Sequence, residues 1–221
     1  MKEATIKELY NLDETIAVKL FEGVTYPWEV LPKISEFIVK LGETLDPSEY
    51  DKKGENIWIA KSANVFPSAY INGPCIIGKK AEVRHCAFIR GNAIVGEGAV
   101  VGNSTELKNV VLFNKVQVPH YNYVGDSILG FCAHMGAGSI TSNVKSDKTL
   151  VVVKSKDEKI ETGLKKFGAM LGDHVEVGCN SVLNPGTVVG RNVSIYPTSC
   201  VRGVILEGSI YKKQGEIVAR V

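Results

Sequence analysis

The sequence predicts a mainly β protein: one chain wound as a parallel β-helix of six-residue repeats, preceded by a short N-terminal helical segment. Three observations predict it. Large apolar residues recur at every sixth position, at Ile59, Val65, Ile71, Ile77, Val83, Ile89, Val95, Val101, Leu107 and Phe113. Small residues stand two places ahead of them, at Ala63, Ala69, Cys75, Ala81, Ala87, Ala93, Ala99 and Thr105. Residues 1–55 carry no such beat and instead show helical spacing. An α-helix would repeat near 3.6 and a simple strand at 2, so a strict six requires a coil of short strands joined at corners.

The N-terminal segment, 1–55, contains two helical stretches, IKELYNLDETIAVKLF and WEVLPKISEFIVKLGETL. In the second, Val30, Leu31, Ile34, Phe37, Ile38 and Leu41 share one helical side, Pro27 suits a first turn and Gly42 a stop. This segment is expected to cap the open edge of the first coil. The repeats fill residues 56–205. After Phe113 their register returns at Leu129, Met135 and Thr141, and again at Leu171, Val177, Leu183, Val189, Ile195 and Val201. Two interruptions separate these groups and are expected as loops, at about 114–128 and 144–168. The first holds VPHYNYVGDSILG; the second holds LVVVKSKDEKI, which reads as a strand pair or loop extruded from the coil. Residues 206–221 are expected as a C-terminal tail. Hexads of this kind resemble the single-stranded left-handed parallel β-helix, in which three hexads make one triangular coil; the hand comes from that resemblance, the period from the residues.

Composition narrows the partners. With 26 Lys and Arg against 24 Asp and Glu, the net charge of +2 gives no reason to expect nucleic acid or a membrane surface. No apolar run approaches the roughly 18 residues of a spanning helix, and MKEATIKELY lacks the apolar core of a signal peptide, so a cytoplasmic location is expected. Cys75, Cys86, Cys132, Cys179 and Cys200 are odd in number and show no zinc-ligand spacing.

The first interruption supplies candidates for chemistry. His120 opens it, with Tyr123 and Asp126 three and six places on. Arg90 and Lys108 are eighteen residues apart, one coil, and so fall on stacked strands of one face. That pair suits a phosphate, and equally a solvated basic face.

The stretch GNSTELKNVVLFNKVQVPHYNYVGDSILGFCAHMGAGSITSN resembles the acetyltransferase domain of the bifunctional glucosamine-1-phosphate acetyltransferases and N-acetylglucosamine-1-phosphate uridyltransferases. ETGLKKFGAMLGDHVEVGCNSVLNPGTVVG is similar to a segment of the archaeal bifunctional sugar-1-phosphate nucleotidylyltransferases. The resemblance implies an N-acetyltransferase that uses acetyl-CoA as co-substrate, needs no metal, and acts on an amino-sugar phosphate or amino-sugar nucleotide, as in UDP-N-acetylglucosamine biosynthesis. It implies His120 as general base, Arg90, Lys108 and Tyr123 as acceptor ligands with Glu106 beside the lysine, and Ala137 and Asn143 at the acetyl end of the cofactor. It also implies a homotrimer with active sites between subunits.

Some residues depart from that pattern. His134 stands where the family has an acceptor-binding Asn, Cys179 where it has a cofactor-side Ser, and Pro197 where it has an Ala. Val144, Lys145 and Ser146 replace Tyr-Asp-Gly; Lys166, then Lys148, is the substitute for the family's next anion-binding lysine, and Lys212 and Lys213 are further candidates for the phosphates of coenzyme A. The Gly-rich nucleotide loop of the uridyltransferase half is absent from this sequence, so nucleotidyl transfer is not expected. Two alternatives stay open: a non-catalytic sugar-phosphate-binding protein, and a zinc enzyme of the carbonic-anhydrase type drawing on His85, His120, His134 and His174.

Overall fold

The structure, a computed structural model, describes residues 1–213 and 216–219. The expected tail, 206–221, lies partly outside the described residues, and its described part is no tail: Ser209–Lys213 continues the coil on Ser194–Ile195 and pairs antiparallel with Glu216–Ala219. The fold is the left-handed parallel β-helix, and its three faces follow from the strand pairings. Face A stacks Ile57–Ala60, Cys75–Ile77, Ala93–Val95, the end of Glu106–Leu112, the end of Tyr123–Leu129, Ala169–Leu171, Thr187–Val189 and Val204–Ile205. Face B runs from Asn64–Val65 through Val100–Asn103, Gln117–His120 and His134–Met135 to Ser209–Lys213. Face C runs from Tyr70–Ile71 through Phe88–Ile89, the starts of Glu106–Leu112 and Tyr123–Leu129, and Ile140–Thr141 to Cys200–Val201.

Corner residues adopt left-handed backbone conformation, which Asn and Asp tolerate best among residues with a side chain. Positive φ recurs at Lys80, Cys86, Asn92, Gly98 and Ser104, then at Asn109, Lys115, Tyr121, Asp126 and Cys132. The steps are six, except from Ser104 to Asn109 and from Tyr121 to Asp126, where they are five. Both short steps lie between faces C and A. There Glu106–Leu112 and Tyr123–Leu129 pass the corner as unbroken strands, paired in parallel with a register of Glu106 on Tyr123 and Leu112 on Leu129.

Two expectations fall here. The lapse at 114–128 is no loop: Gln117–His120 pairs with Val100–Asn103, and Tyr123–Leu129 with its neighbours on both sides. The coils are shorter by one residue, and no chain leaves them. Phe113 is correspondingly not in the internal stack, where Leu112 pairs with Val95 and Leu129. Its ring instead meets those of Tyr10 and Phe21, at 5.1 and 5.8 Å between centroids.

That contact locates most of the N-terminal segment, which lies against the flank of face A, while its last strand, Tyr50–Gly54, caps the first coil as expected. The first coil's edge is paired by Tyr50–Gly54, antiparallel to Ile57–Ala60. Short helical turns and the helix Ile34–Gly42 cover face A, burying Trp28, Ile34 and Ile38. The cause is legible in the strands: on face A alone the outward residues Trp58, Ile76, Ile94, Val111, Ile128, Met170 and Val188 are all apolar, and all are buried. Leaving such a stripe wet would forgo roughly 2 kcal/mol for each large side chain.

Between Asn143 and Ala169 the chain leaves the coil. Val152–Lys154 and Lys159–Glu161 form an antiparallel hairpin. Val151, Val153 and Phe167 bury it against the coil. Gly186 and Gly203, at φ +83 and +76, are the corners beneath: a Cβ would stand 2.8 Å from Val151 Cγ1 and 2.7 Å from the Lys154 carbonyl oxygen. Glycine at both corners lets the hairpin seat.

Candidate functional site

The site builds up around the shortened coils. At the corner between faces B and C, equivalent residues stack in a column, each coil donating a backbone hydrogen bond to the previous one: Ser104 to His85, Tyr121 to Asn103, Gly138 to His120, Asn180 to Ala137 and Thr198 to Cys179. His120 thus stands directly before Ala137, Cys179 and Pro197, with successive coils about 4.8 Å apart. His120, Cys179 and Pro197 are exposed and Ala137 half-buried. Among the described residues neither the Ala137 nor the Cys179 N–H has a backbone acceptor, which leaves both available as donors.

His120 is held by its backbone. Asn122, buried at 2 %, accepts the His120 N–H at 3.1 Å and donates to the Gly136 and Ser139 carbonyls at 2.9 and 3.1 Å. One side chain therefore locks the His120 corner to the Ala137 corner. The imidazole itself makes no hydrogen bond among the described residues, and it projects into solvent beside Tyr121, which is 65 % exposed.

Face C carries the second part. Arg90 and Lys108 occupy equivalent positions on adjacent coils, joined by the bond from Arg90 N–H to the Leu107 carbonyl. Each already has a carboxylate partner. Arg90 Nη1 lies 2.7 Å from Glu106, which raises its already high pKa, and Lys108 Nζ lies 3.0 Å from both oxygens of Asp126. Asp126, 4 % exposed, also accepts from Asn109 at 3.0 Å and from Asn143 at 2.5 Å. Asn109 in turn donates to the Leu31 carbonyl, tying the cover of face A to this hub.

Tyr123 lies along face C. Its hydroxyl accepts from Asn143 Nδ2 at 3.2 Å, and burial, followed by the charges of Asp126 and Glu106, pushes the phenol's pKa up. At neutral pH the hydroxyl therefore keeps its proton for donation to a ligand. Gly125 makes this pose possible: a Cβ there would stand 2.5 Å from the Tyr123 oxygen.

Arg90, Glu106, Lys108, Tyr123 and Asn143 thus form one cluster, flanked by His120 at the corner that opens face C. Two expected residues are not brought to it. His134 is on face B, its Nδ1 2.8 Å from Glu176, because residue 134 pairs with Gln117 and Glu176 there. Lys166 is exposed at the far corner of face C, since the next residue, Phe167, donates to the Asn143 carbonyl; within this chain it does not flank the Ala137, Cys179 and Pro197 column. Asn143 likewise sits in the Asp126 hub and not in that column. Asn122 is the residue sequence reasoning passed over, and Asp126, singled out by its place after His120, was given no role; the signal for both was a buried amide or carboxylate in a run of strands. Among the described residues no group of three or more His, Cys, Asp and Glu is placed to hold a metal ion, and no helix is long and apolar enough to cross a membrane.

Comparison with known proteins follows this geometry. Residues 71–206 match the family model described as the GMPPB C-terminal domain. The chain is 30 % identical over 204 residues to the "Bifunctional protein GlmU" of Methanococcus maripaludis, spanning 90 % of this chain and 49 % of the relative. It is 35 % identical over 112 residues to the "Bifunctional sugar-1-phosphate nucleotidylyltransferase/acetyltransferase" of Sulfurisphaera tokodaii, spanning 51 % of this chain and 28 % of the relative. The chain thus spans about half or less of the length of these relatives. Among solved structures, the acetyltransferase domain of PglB from Neisseria gonorrhoeae in complex with acetyl coenzyme A aligns with a TM-score of 0.36 and 18 % identity, over 70 % of this chain and 53 % of that one. By the match over most of its repeats, the chain belongs to the GMPPB C-terminal domain family.

Proposed function

We propose that the chain is an acetyl-CoA-dependent N-acetyltransferase acting on an amino-sugar phosphate or amino-sugar nucleotide. The observation that carries the reading is the placement of His120 at the head of the Ala137, Cys179 and Pro197 column, beside the Arg90, Lys108 and Tyr123 cluster. A long cofactor laid along that column brings its thioester to His120. An acceptor held on face C brings its amine there from the other side. The relatives' names, which join acetyltransferase with sugar-1-phosphate nucleotidylyltransferase, point the same way.

The chemistry is acyl transfer. The acceptor nitrogen attacks the thioester carbonyl carbon while a neutral His120 takes the nitrogen's proton. The carbonyl oxygen gains negative charge, which the Ala137 N–H is free to stabilise. The carbon–sulfur bond then breaks, and the thiolate leaves with the proton that His120 held. Arg90 and Lys108 meet the acceptor's phosphate only by loosening from Glu106 and Asp126. Arg90 is the easier of the two, its side chain being 46 % exposed against 24 % for Lys108.

A single chain leaves the imidazole without an orienting partner and His134 on another face. The reading therefore includes a homotrimer, in which a neighbouring copy completes the site; light scattering that finds a monomer at working concentration counts against the shared site. The test of the base is His120→Ala. It should keep the fold and assembly and lose about 10²- to 10⁴-fold in acceptor-dependent release of thiol from acetyl-CoA. Wild-type turnover in that variant would remove His120 from the mechanism.

A further inference from the structure

Beyond the site, face C continues toward the C-terminus. The positions of Arg90 and Lys108 repeat on later coils as Gly125, Ser142, Asn184 and Arg202, connected by the bonds from Ser142 N–H to the Leu183 carbonyl and from Asn184 N–H to the Val201 carbonyl. Over the last three of these the extruded hairpin folds back and walls one side of an open cavity of ≈ 500 Å³. Lys145, Lys154 and Arg202 line it, together with Ser142, Asn184 and Pro185.

The charges in this cavity are not balanced. Lys145 is answered by Asp147 at 3.2 Å. Lys154 and Arg202 form no ion pair among the described residues, in contrast to Arg90 and Lys108, whose carboxylate partners are 2.7 and 3.0 Å away. The cavity therefore carries two uncompensated cations with hydroxyl and amide groups between them, while Val144, Val152 and Pro185 supply apolar wall. Such a lining fits a doubly charged, flexible anion with a flat group attached. It is also a built cavity, since Gly186 and Gly203 are the corners that let the hairpin seat.

We propose that this cavity binds the pyrophosphate of a nucleoside diphosphate. Two substrates of the acyltransferase reading, on which this assignment to a substrate rests, carry that group: a nucleotide-linked amino sugar and coenzyme A. Lys108 and Arg202 are four coils apart, about 19 Å. An acceptor whose amine is at His120 and whose nucleotide crosses face C reaches the cavity. A cofactor that leaves the corner column toward the same coils reaches it from the other edge.

Calorimetric titration of the full chain with inorganic pyrophosphate, UDP and ADP, before and after Lys154→Ala with Arg202→Ala, tests the binding directly. Both side chains are exposed, so the double variant should unfold at the wild-type temperature. Pyrophosphate and at least one nucleotide should bind the wild type, about tenfold or more weaker in the double variant, and weaker in both as salt rises. Kinetics then separate the sources. A raised KM for an amino-sugar nucleotide, with that for the amino-sugar 1-phosphate unchanged, assigns the cavity to the acceptor; a raised KM for acetyl-CoA assigns it to the cofactor. No binding of pyrophosphate, or equal binding by both proteins, overturns the proposal. Absence of acetyl transfer with every acceptor would overturn the acyltransferase reading and leave the pyrophosphate result standing.

Discussion

Asp126→Asn is the perturbation the structure makes most quantitative. The carboxylate is nearly buried, sits at φ +48, and accepts from Lys108, Asn109 and Asn143. Asn tolerates the same left-handed backbone, so strain is not introduced. What changes is charge and polarity: Lys108 loses its counter-ion, and one former acceptor becomes a donor facing other donors. Breaking a buried pair costs about 3–5 kcal/mol. Because the Lys108 side chain is 24 % exposed, water relieves part of this, and about 2–4 kcal/mol remains. At about 2–4 °C per kcal/mol for a chain of this size, the midpoint should fall by about 5–15 °C. Urea unfolding and calorimetry measure both numbers. A cycle through Lys108→Met should recover at least about 1 kcal/mol in the double variant, since the stranded cation is gone. A loss below about 0.5 kcal/mol, or no coupling to Lys108, would refute the view of Asp126 as the hub of this corner.

Other predictions concern separate elements. Gly125→Ala should swing Tyr123 off Asn143, leave stability within about 1 kcal/mol of wild type and raise KM for the acceptor; an unchanged KM removes Tyr123 from acceptor binding. Trp28→Ala, which empties a side chain stacked on Tyr26 at 4.6 Å and packed on Phe167, should cost about 3–5 kcal/mol, and a cost below about 1 kcal/mol would mean that the N-terminal cover contributes little. In the native chain a thiol reagent should reach Cys86, Cys179 and Cys200, which are exposed, while Cys75 reacts only on unfolding, its thiol fully buried and its pKa pushed far up. Coenzyme A should protect Cys179 and leave Cys86 reactive, read by mass spectrometry of the labelled peptides; protection of neither residue would argue against the column as the cofactor's path.

The period of six was legible because each inward residue must fill the same interior, and Ile59 to Leu107 keep that beat in both sequence and structure. The lapse at His120 was legible as a place and misread as a loop. A one-residue shortening moves every later position, so Phe113 falls on the old beat while Leu112 takes its place inside. Left-handed corners mark the shift: Asn109 and Asp126 are the kinds of residue that tolerate such a φ, each five after the previous corner. The covering of face A could also have been read, because its outward positions are apolar in coil after coil, as at the middle residue of CII, AIV and AML. What no local pattern carries is the meeting of Asp126 with Asn143, and of the hairpin with Gly186 and Gly203. The first joins adjacent coils and the second lays the insertion over later ones, and only the stacked coils bring either pair together.

The central claim is that His120 and the column beside it transfer an acetyl group to an amino sugar. The most direct measurement is release of free thiol from acetyl-CoA by the wild-type chain against a panel of amino-sugar 1-phosphates and amino-sugar nucleotides, with the acetylated product identified by mass. The account predicts release that depends on an acceptor of one of these classes and on His120. Thiol release independent of any amino sugar, or none with every member of the panel, would contradict it.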